Sequence, residues 1–220
     1  MKKYLPLVTA FLLSLQGCLM NEDVSPSSSS PYTDEELYFS KPEDLYLAIQ
    51  DIDSYKNDCD SNNNAPACVA TGIYFVDAQK DYQSAQAYFL KACNLRDDLG
   101  CQNLGYMYGK GIGVEVDYNL AKIMYEMACE LSEGYYCFSL ALLYENGHGV
   151  RQDFNKSYEL FLKGCSVDDF AGCFGLGGAY EFGRGVRQDF KKAKEAYGRS
   201  CDLKHQLGCD AYRRLNEQGH

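Results

Sequence analysis

Cys93-Asn-Leu-Arg-Asp-Asp-Leu-Gly-Cys101 is the stretch that decides the fold, because the chain repeats it. Cys129 and Cys137, Cys165 and Cys173, and Cys201 and Cys209 keep the same separation of 8, and the first cysteine of each of these pairs recurs every 36 residues. Cys59 and Cys68 form an earlier copy with a separation of 9. A fixed period of this length marks a repeat array. On one straight helix, eight residues would part the two cysteines by roughly 12 Å. A disulfide needs Cα atoms about 4.4–6.8 Å apart. If the pair is bonded, the chain reverses between them, which a helical hairpin achieves: one cysteine ends a helix and the other begins the next.

Working outward, the same register organises the helices. Ala85, Phe89 and Ala92 lead into Cys93, and Ala121, Tyr125 and Ala128 lead into Cys129. Ser157, Phe161 and Gly164 precede Cys165; Ala193, Tyr197 and Ser200 precede Cys201. One ring between two small residues at i, i+4 and i+7 lets two helices approach closely. Asp117, Asp153 and Asp189 stand where N-caps or first-turn acids belong. The first helix of each repeat follows its cysteine, with Leu104, Gly105 and Tyr108 matched by Leu140, Ala141 and Tyr144, and by Leu176, Gly177 and Tyr180. Thr71, Gly72 and Phe75 after Cys68 are a looser copy.

Gly111-Ile112-Gly113-Val114, Gly147-His148-Gly149-Val150 and Gly183-Arg184-Gly185-Val186 join the two helices. A dinucleotide fingerprint would need a preceding strand. These glycines are expected to end helices in the left-handed conformation and to permit close packing.

The 220 residues are 46% hydrophobic and 24% charged, as in an ordinary globular protein. Lys2 and Lys3, an apolar run from Tyr4 to Leu15 and small Gly17 read as a signal peptide over residues 1–17. The run is short for a membrane span, which needs about 20 apolar residues. Residues 18–31, rich in Ser and Pro, read as a flexible tether. Residues 32–58 are expected to form an N-terminal helical cap, with a helix from Glu43 to Lys56 that has Pro42 at its start and Leu45, Ile49 and Ile52 on one face. Residues 59–220 form the array.

Export places the cysteines in an oxidising compartment, where evenly spaced pairs read as bridges. Zinc is the competitor, but its sites favour ligands two to four residues apart, often with histidine. The chain has no Cys-x-x-Cys and three histidines, His148, His205 and His220, so no metal site is expected. By the loop-entropy estimate each bridge contributes roughly 2–3 kcal/mol. Loss of residues 1–17 takes away two lysines and no acid, moving the formal charge from −10 to −12. Nucleic acid is an unfitting partner for such a chain.

Leu-Gly-x-x-Tyr, Gly-x-Gly-Val, Asp-x-x-x-Ala and a ring before Ala-Cys together resemble the Sel1-like repeat, a relative of the tetratricopeptide repeat. The Cys-x7-Cys placement is similar to that of the Helicobacter cysteine-rich protein (Hcp) family. The resemblance runs from about Cys59 to Cys209. It departs at Val76-Asp77-Ala78-Gln79-Lys80, which replaces the first Gly-x-Gly-Val loop, and at Tyr136, which replaces the glycine found at 100, 172 and 208. It implies an all-α solenoid of disulfide-stapled helix pairs. Leu15-Gln16-Gly17-Cys18 also resembles a lipobox, despite Gln16, and implies lipidation of Cys18, the one cysteine outside the five pairs. Leu19 in place of aspartate favours the outer membrane over the inner.

By analogy with tetratricopeptide repeats, a ligand groove would use positions one and five after the leading cysteine of each first helix (Cys68, Cys101, Cys137, Cys173 and Cys209): Val69 and Ile73, Gln102 and Tyr106, Phe138 and Leu142, Phe174 and Gly178, Asp210 and Arg214. An exposed apolar stripe there would mark a binding surface for a peptide or protein. The competing class, implied by the resembled family, is a penicillin-binding protein with slow β-lactamase activity. Ser-x-x-Lys, Ser-Asp-Asn and Lys-Thr-Gly are missing from the sequence, so no catalytic residue is assigned and no cofactor is called for. An exported scaffold, periplasmic on the outer membrane or secreted, is the expected function, with β-lactam the alternative ligand.

Overall fold

The computed structural model describes residues 51–220, which contain ten α-helices and no strand. The signal peptide, the tether, Cys18 and most of the expected cap lie outside the described residues. The helices are α1 (Ile52–Asn62), α2 (Ala65–Tyr74), α3 (Tyr82–Asn94), α4 (Asp98–Lys110) and α5 (Tyr118–Leu131). They continue as α6 (Cys137–Asn146), α7 (Phe154–Ser166), α8 (Phe170–Phe182), α9 (Phe190–Asp202) and α10 (Gln206–Glu217). Each packs on its chain neighbours, and α8 also touches α6 and α10, as α4 touches α2. α1 runs past the expected end at Lys56 to Asn62 and carries Cys59, which bridges to Cys68 of α2.

Five disulfides, Cys59–Cys68, Cys93–Cys101, Cys129–Cys137, Cys165–Cys173 and Cys201–Cys209, tie the end of one helix to the start of the next. Their Cα atoms lie 4.3 to 4.7 Å apart, well inside the 12 Å a straight helix would impose. Arg96, Asp168 and Lys204 take a left-handed φ in three of the turns. Asp97 and Asp169 then cap α4 and α8, accepting from Gly100 N and Gly172 N, each at 2.8 Å. Asp169 is buried, which pushes its carboxyl up to about 6 against the pull of its two backbone donors.

The turn before α6 differs, for a steric reason. A Cβ at Gly100 would meet Ala92 Cβ at 2.5 Å, and one at Gly172 would meet Cys165 N at 2.8 Å. A side chain does not fit there, so with Tyr136 in this place α6 begins at Cys137, whereas α4 and α8 begin three residues before their cysteines. The Tyr136 ring instead packs near Met124, Met127 and Leu131, beside the preceding Cys93–Cys101 bridge.

The ring-between-small-residues pattern forms the core, with Phe89, Tyr125, Phe161 and Tyr197 all buried. Asp117, Asp153 and Asp189 each cap a second helix through backbone N–H groups 2.9–3.1 Å away. Gly111 ends α4 at φ +70°, and its N–H donates to Met107 O. Gly113, at φ +71°, serves a second purpose: a Cβ there would stand 2.2 Å from Tyr82 Cβ. The loop of one repeat thus rests on the first residue of α3, the second helix of the preceding repeat.

Candidate binding cleft

The expected open stripe is not present as such. Val69, Ile73, Gln102, Phe138, Leu142 and Phe174 are 9% exposed or less, and Gly178 is also buried. The reason is that a first helix has packing partners on more than one side. Phe138 packs on Phe161 at 5.6 Å, and Phe174 on Tyr197 at 5.5 Å and on His205 at 5.0 Å. Gln102 Nε2 donates to Ser139 Oγ at 2.8 Å, joining α4 to α6. Tyr106 is half-buried; Asp210 and Arg214 are exposed on α10, the last described helix. Asp210 accepts from Gln206 and Arg213 on its own helix.

Successive repeats are locked by acids placed eight residues after the leading cysteine. Glu145 on α6 is buried and pairs with Arg184 of the following Gly-x-Gly loop. Burial pushes the Glu145 carboxyl up, while the Arg184 hydrogen bond and charge pull it down. Glu181 on α8, also buried, receives both guanidinium nitrogens of Arg214, at 2.7 and 2.8 Å, and the Tyr197 hydroxyl at 2.8 Å. The hydrogen bond to Glu181 raises the Arg214 guanidinium further above its usual value. Arg214, a groove candidate, therefore holds α10 onto α8.

The same position of α4 is Gly109, and there a cleft of about 120 Å³ opens. Tyr106, Gly109 and Lys110 of α4, Tyr118 and Tyr125 of α5, and Ser139, Leu142, Leu143 and Asn146 of α6 line it, with His148 of the following loop. His148 stacks on Tyr118, ring centroids 4.6 Å apart and 20° between planes. Two of the ten groove candidates, Tyr106 and Leu142, thus come together, and the other eight do not. Apolar Leu142 and Leu143, hydroxyls, an amide, an ammonium and an imidazole suit the cleft to holding a ligand with one polar end. His205 belongs elsewhere: it is half-buried among Phe170, Phe174 and the Ser200 hydroxyl. Gly109, Lys110 and Asn146 escaped the sequence reading, and His148 entered it only as a loop histidine. Aligning the repeats eight residues past each leading cysteine exposes the odd glycine.

The model of the Sel1 repeat matches residues 65–97, 99–133, 134–169 and 171–205, more than half of the chain. The chain belongs to the Sel1 repeat family. With those bounds, the bridges from Cys93, Cys129 and Cys165 link successive Sel1 repeats, and the cleft lies at the junction of the second and third. A stretch of 37 residues is 51% identical to "Putative beta-lactamase HcpC" of Helicobacter pylori, covering 17% of this chain and 13% of that protein. The match therefore spans only a small part of the length of these curated relatives. A Sel1 repeat protein from Oxalobacter formigenes superposes with a TM-score of 0.67 at 22% identity, over 82% of this chain and 90% of that one. A protective antigen of uropathogenic Escherichia coli strains, described as displaying an SLR fold, gives 0.67 at 23% identity, over 81% and 41%. At such identities the two structures share the fold alone. Among the described residues, no helix is long and apolar enough to cross a membrane.

Proposed function

We propose that the chain is an exported, disulfide-braced Sel1 scaffold that binds a peptide or protein at the cell envelope or outside the cell. The observation that carries this reading is the cleft between α4 and α6, where Gly109 stands in place of an interlocking acid and polar groups converge over leucines. Five bridges support export, because such bonds persist in oxidising compartments. In this reading residues 1–17 are removed and Cys18 carries a lipid that holds the scaffold on the outer membrane. A peptide array probed with the oxidised and the reduced mature chain tests the binding; no captured peptide in either state ends the proposal. Mass spectrometry of the native N-terminus tests the anchor, and an unmodified Cys18 ends that part.

The match to the Helicobacter pylori protein favours a second reading, β-lactam binding with slow hydrolysis. The serine β-lactamase motifs are missing from this sequence. Nitrocefin turnover by the purified chain decides it, and no turnover removes that reading.

A further inference from the structure

The start of α7 carries a side chain that packing does not explain. Ser157 stands where the other second helices have Ala85, Ala121 and Ala193. It is 2% exposed, and its Oγ has no hydrogen-bond partner among the described residues. The other buried serines and threonines there are all satisfied. Thr71 donates to Ala67 O and Ser200 to Phe170 O, each at 2.8 Å, and Ser139 accepts from Gln102 at 2.8 Å. An unpaired buried hydroxyl destabilises a fold, and alanine fits the same place in three other helices. The sequence around the serine supplies a use for it outside the core. Asn155-Lys156-Ser157 is an Asn-x-Ser acceptor for an N-linked glycan. No other Asn in the 220 residues has Ser or Thr two places after it. Asn155 is exposed in the first turn of α7. Gln83, Asn119 and Lys191, at the same position of the other second helices, are exposed too, so this place in the repeat admits a large polar group.

We propose that Asn155 carries an N-linked oligosaccharide, added before α7 packs. The Ser157 hydroxyl that a transferase has to reach is covered once the repeat closes, so transfer precedes folding of this helix. The donor is an oligosaccharide on a polyprenyl pyrophosphate. Asn155 Nδ2 bonds to the anomeric carbon, the bond from that carbon to the phosphate oxygen breaks, and the amide proton ends on the released pyrophosphate. Folding then leaves the sugar in solvent and puts the serine beneath it. Such transfer acts on exported chains, so the inference rests on the export reading.

Mass spectrometry of the chain purified from the cells that make it tests the proposal. Trypsin releases Asn155 in the peptide 152–156, cut after Arg151 and Lys156. That peptide is expected to be heavier than its amino acids by a series of sugar residues, on a chain that begins at Cys18. Ser157→Ala, made in the same cells, is expected to lose all of the added mass although Asn155 is untouched. It is also expected to unfold at a higher urea concentration than Asn155→Gln, which lacks the sugar but keeps the unpaired hydroxyl. A bare Asn155, added mass that survives in Ser157→Ala, or a Ser157→Ala no more stable than Asn155→Gln would overturn the inference. A bare Asn155 on a chain that begins at Cys18 leaves the export reading standing, whereas a chain that still carries residues 1–17 refutes both.

Discussion

Replacing Cys93 and Cys101 together by alanine removes one staple and leaves four. The bridge closes a loop of eight to nine residues, for which the chain-entropy relation yields about 2.5 kcal/mol at room temperature. Both cysteines are buried, so losing their sulfurs adds a packing cost and makes that figure a floor. In an array whose units meet only their neighbours, the loss should stay local. Native-state hydrogen exchange reads this directly, because it resolves opening segment by segment where a single melting curve does not. Amides of α3 and α4 should lose roughly 60-fold in protection, the equivalent of about 2.5 kcal/mol. Those of α9 and α10, held by Cys201–Cys209 and the Glu181–Arg214 pair, should keep theirs. Unchanged protection in α3 and α4 would refute the staple's energetic role. An equal loss across all ten helices would refute local coupling.

Two glycines four residues apart should respond with opposite signs. Gly109→Ala has room for its methyl and should raise stability by about 0.5–1 kcal/mol in urea denaturation. Gly113→Ala meets Tyr82 at a positive φ and should cost about 2 kcal/mol or more. Arg214→Met leaves Glu181 buried without its guanidinium partner and should cost about 3 kcal/mol, partly recovered by adding Glu181→Gln. Asp169 has a folded value of about 6, above its ordinary 3.8, so between those values the folded state binds more protons than the unfolded one. Stability from this group is therefore present below about pH 4 and lost as pH rises through about 6. The stability of wild type minus that of Asp169→Asn should fall by up to about 3 kcal/mol between pH 4 and 7; a flat difference refutes the assignment.

The array was legible because its constraints are periodic and local. Cysteine spacing set the hairpins, the small-ring-small pattern set the facing helices, and the paired glycines set the loops; all three are backbone requirements that recur every 36 residues. The groove was less legible. Positions such as Val69, Phe138 and Phe174 look available when one hairpin is drawn alone, but the adjoining helices cover them. The caps at Asp97 and Asp169 depend on a left-handed residue at 96 and 168 that residue type does not announce. Tyr136 did announce a different turn, because a ring cannot occupy a place fitted to glycine. The cleft was written in the sequence as Gly109 opposite Glu145 and Glu181, but its meaning required knowing that Arg184 and Tyr197 reach those acids.

Peptide capture by the oxidised mature chain, compared between wild type and Gly109→Glu, tests the central claim most directly. The account predicts that peptides held by the wild type bind the variant at least about tenfold more weakly, while the variant stays as helical and as stable. Equal capture by the two proteins would contradict it.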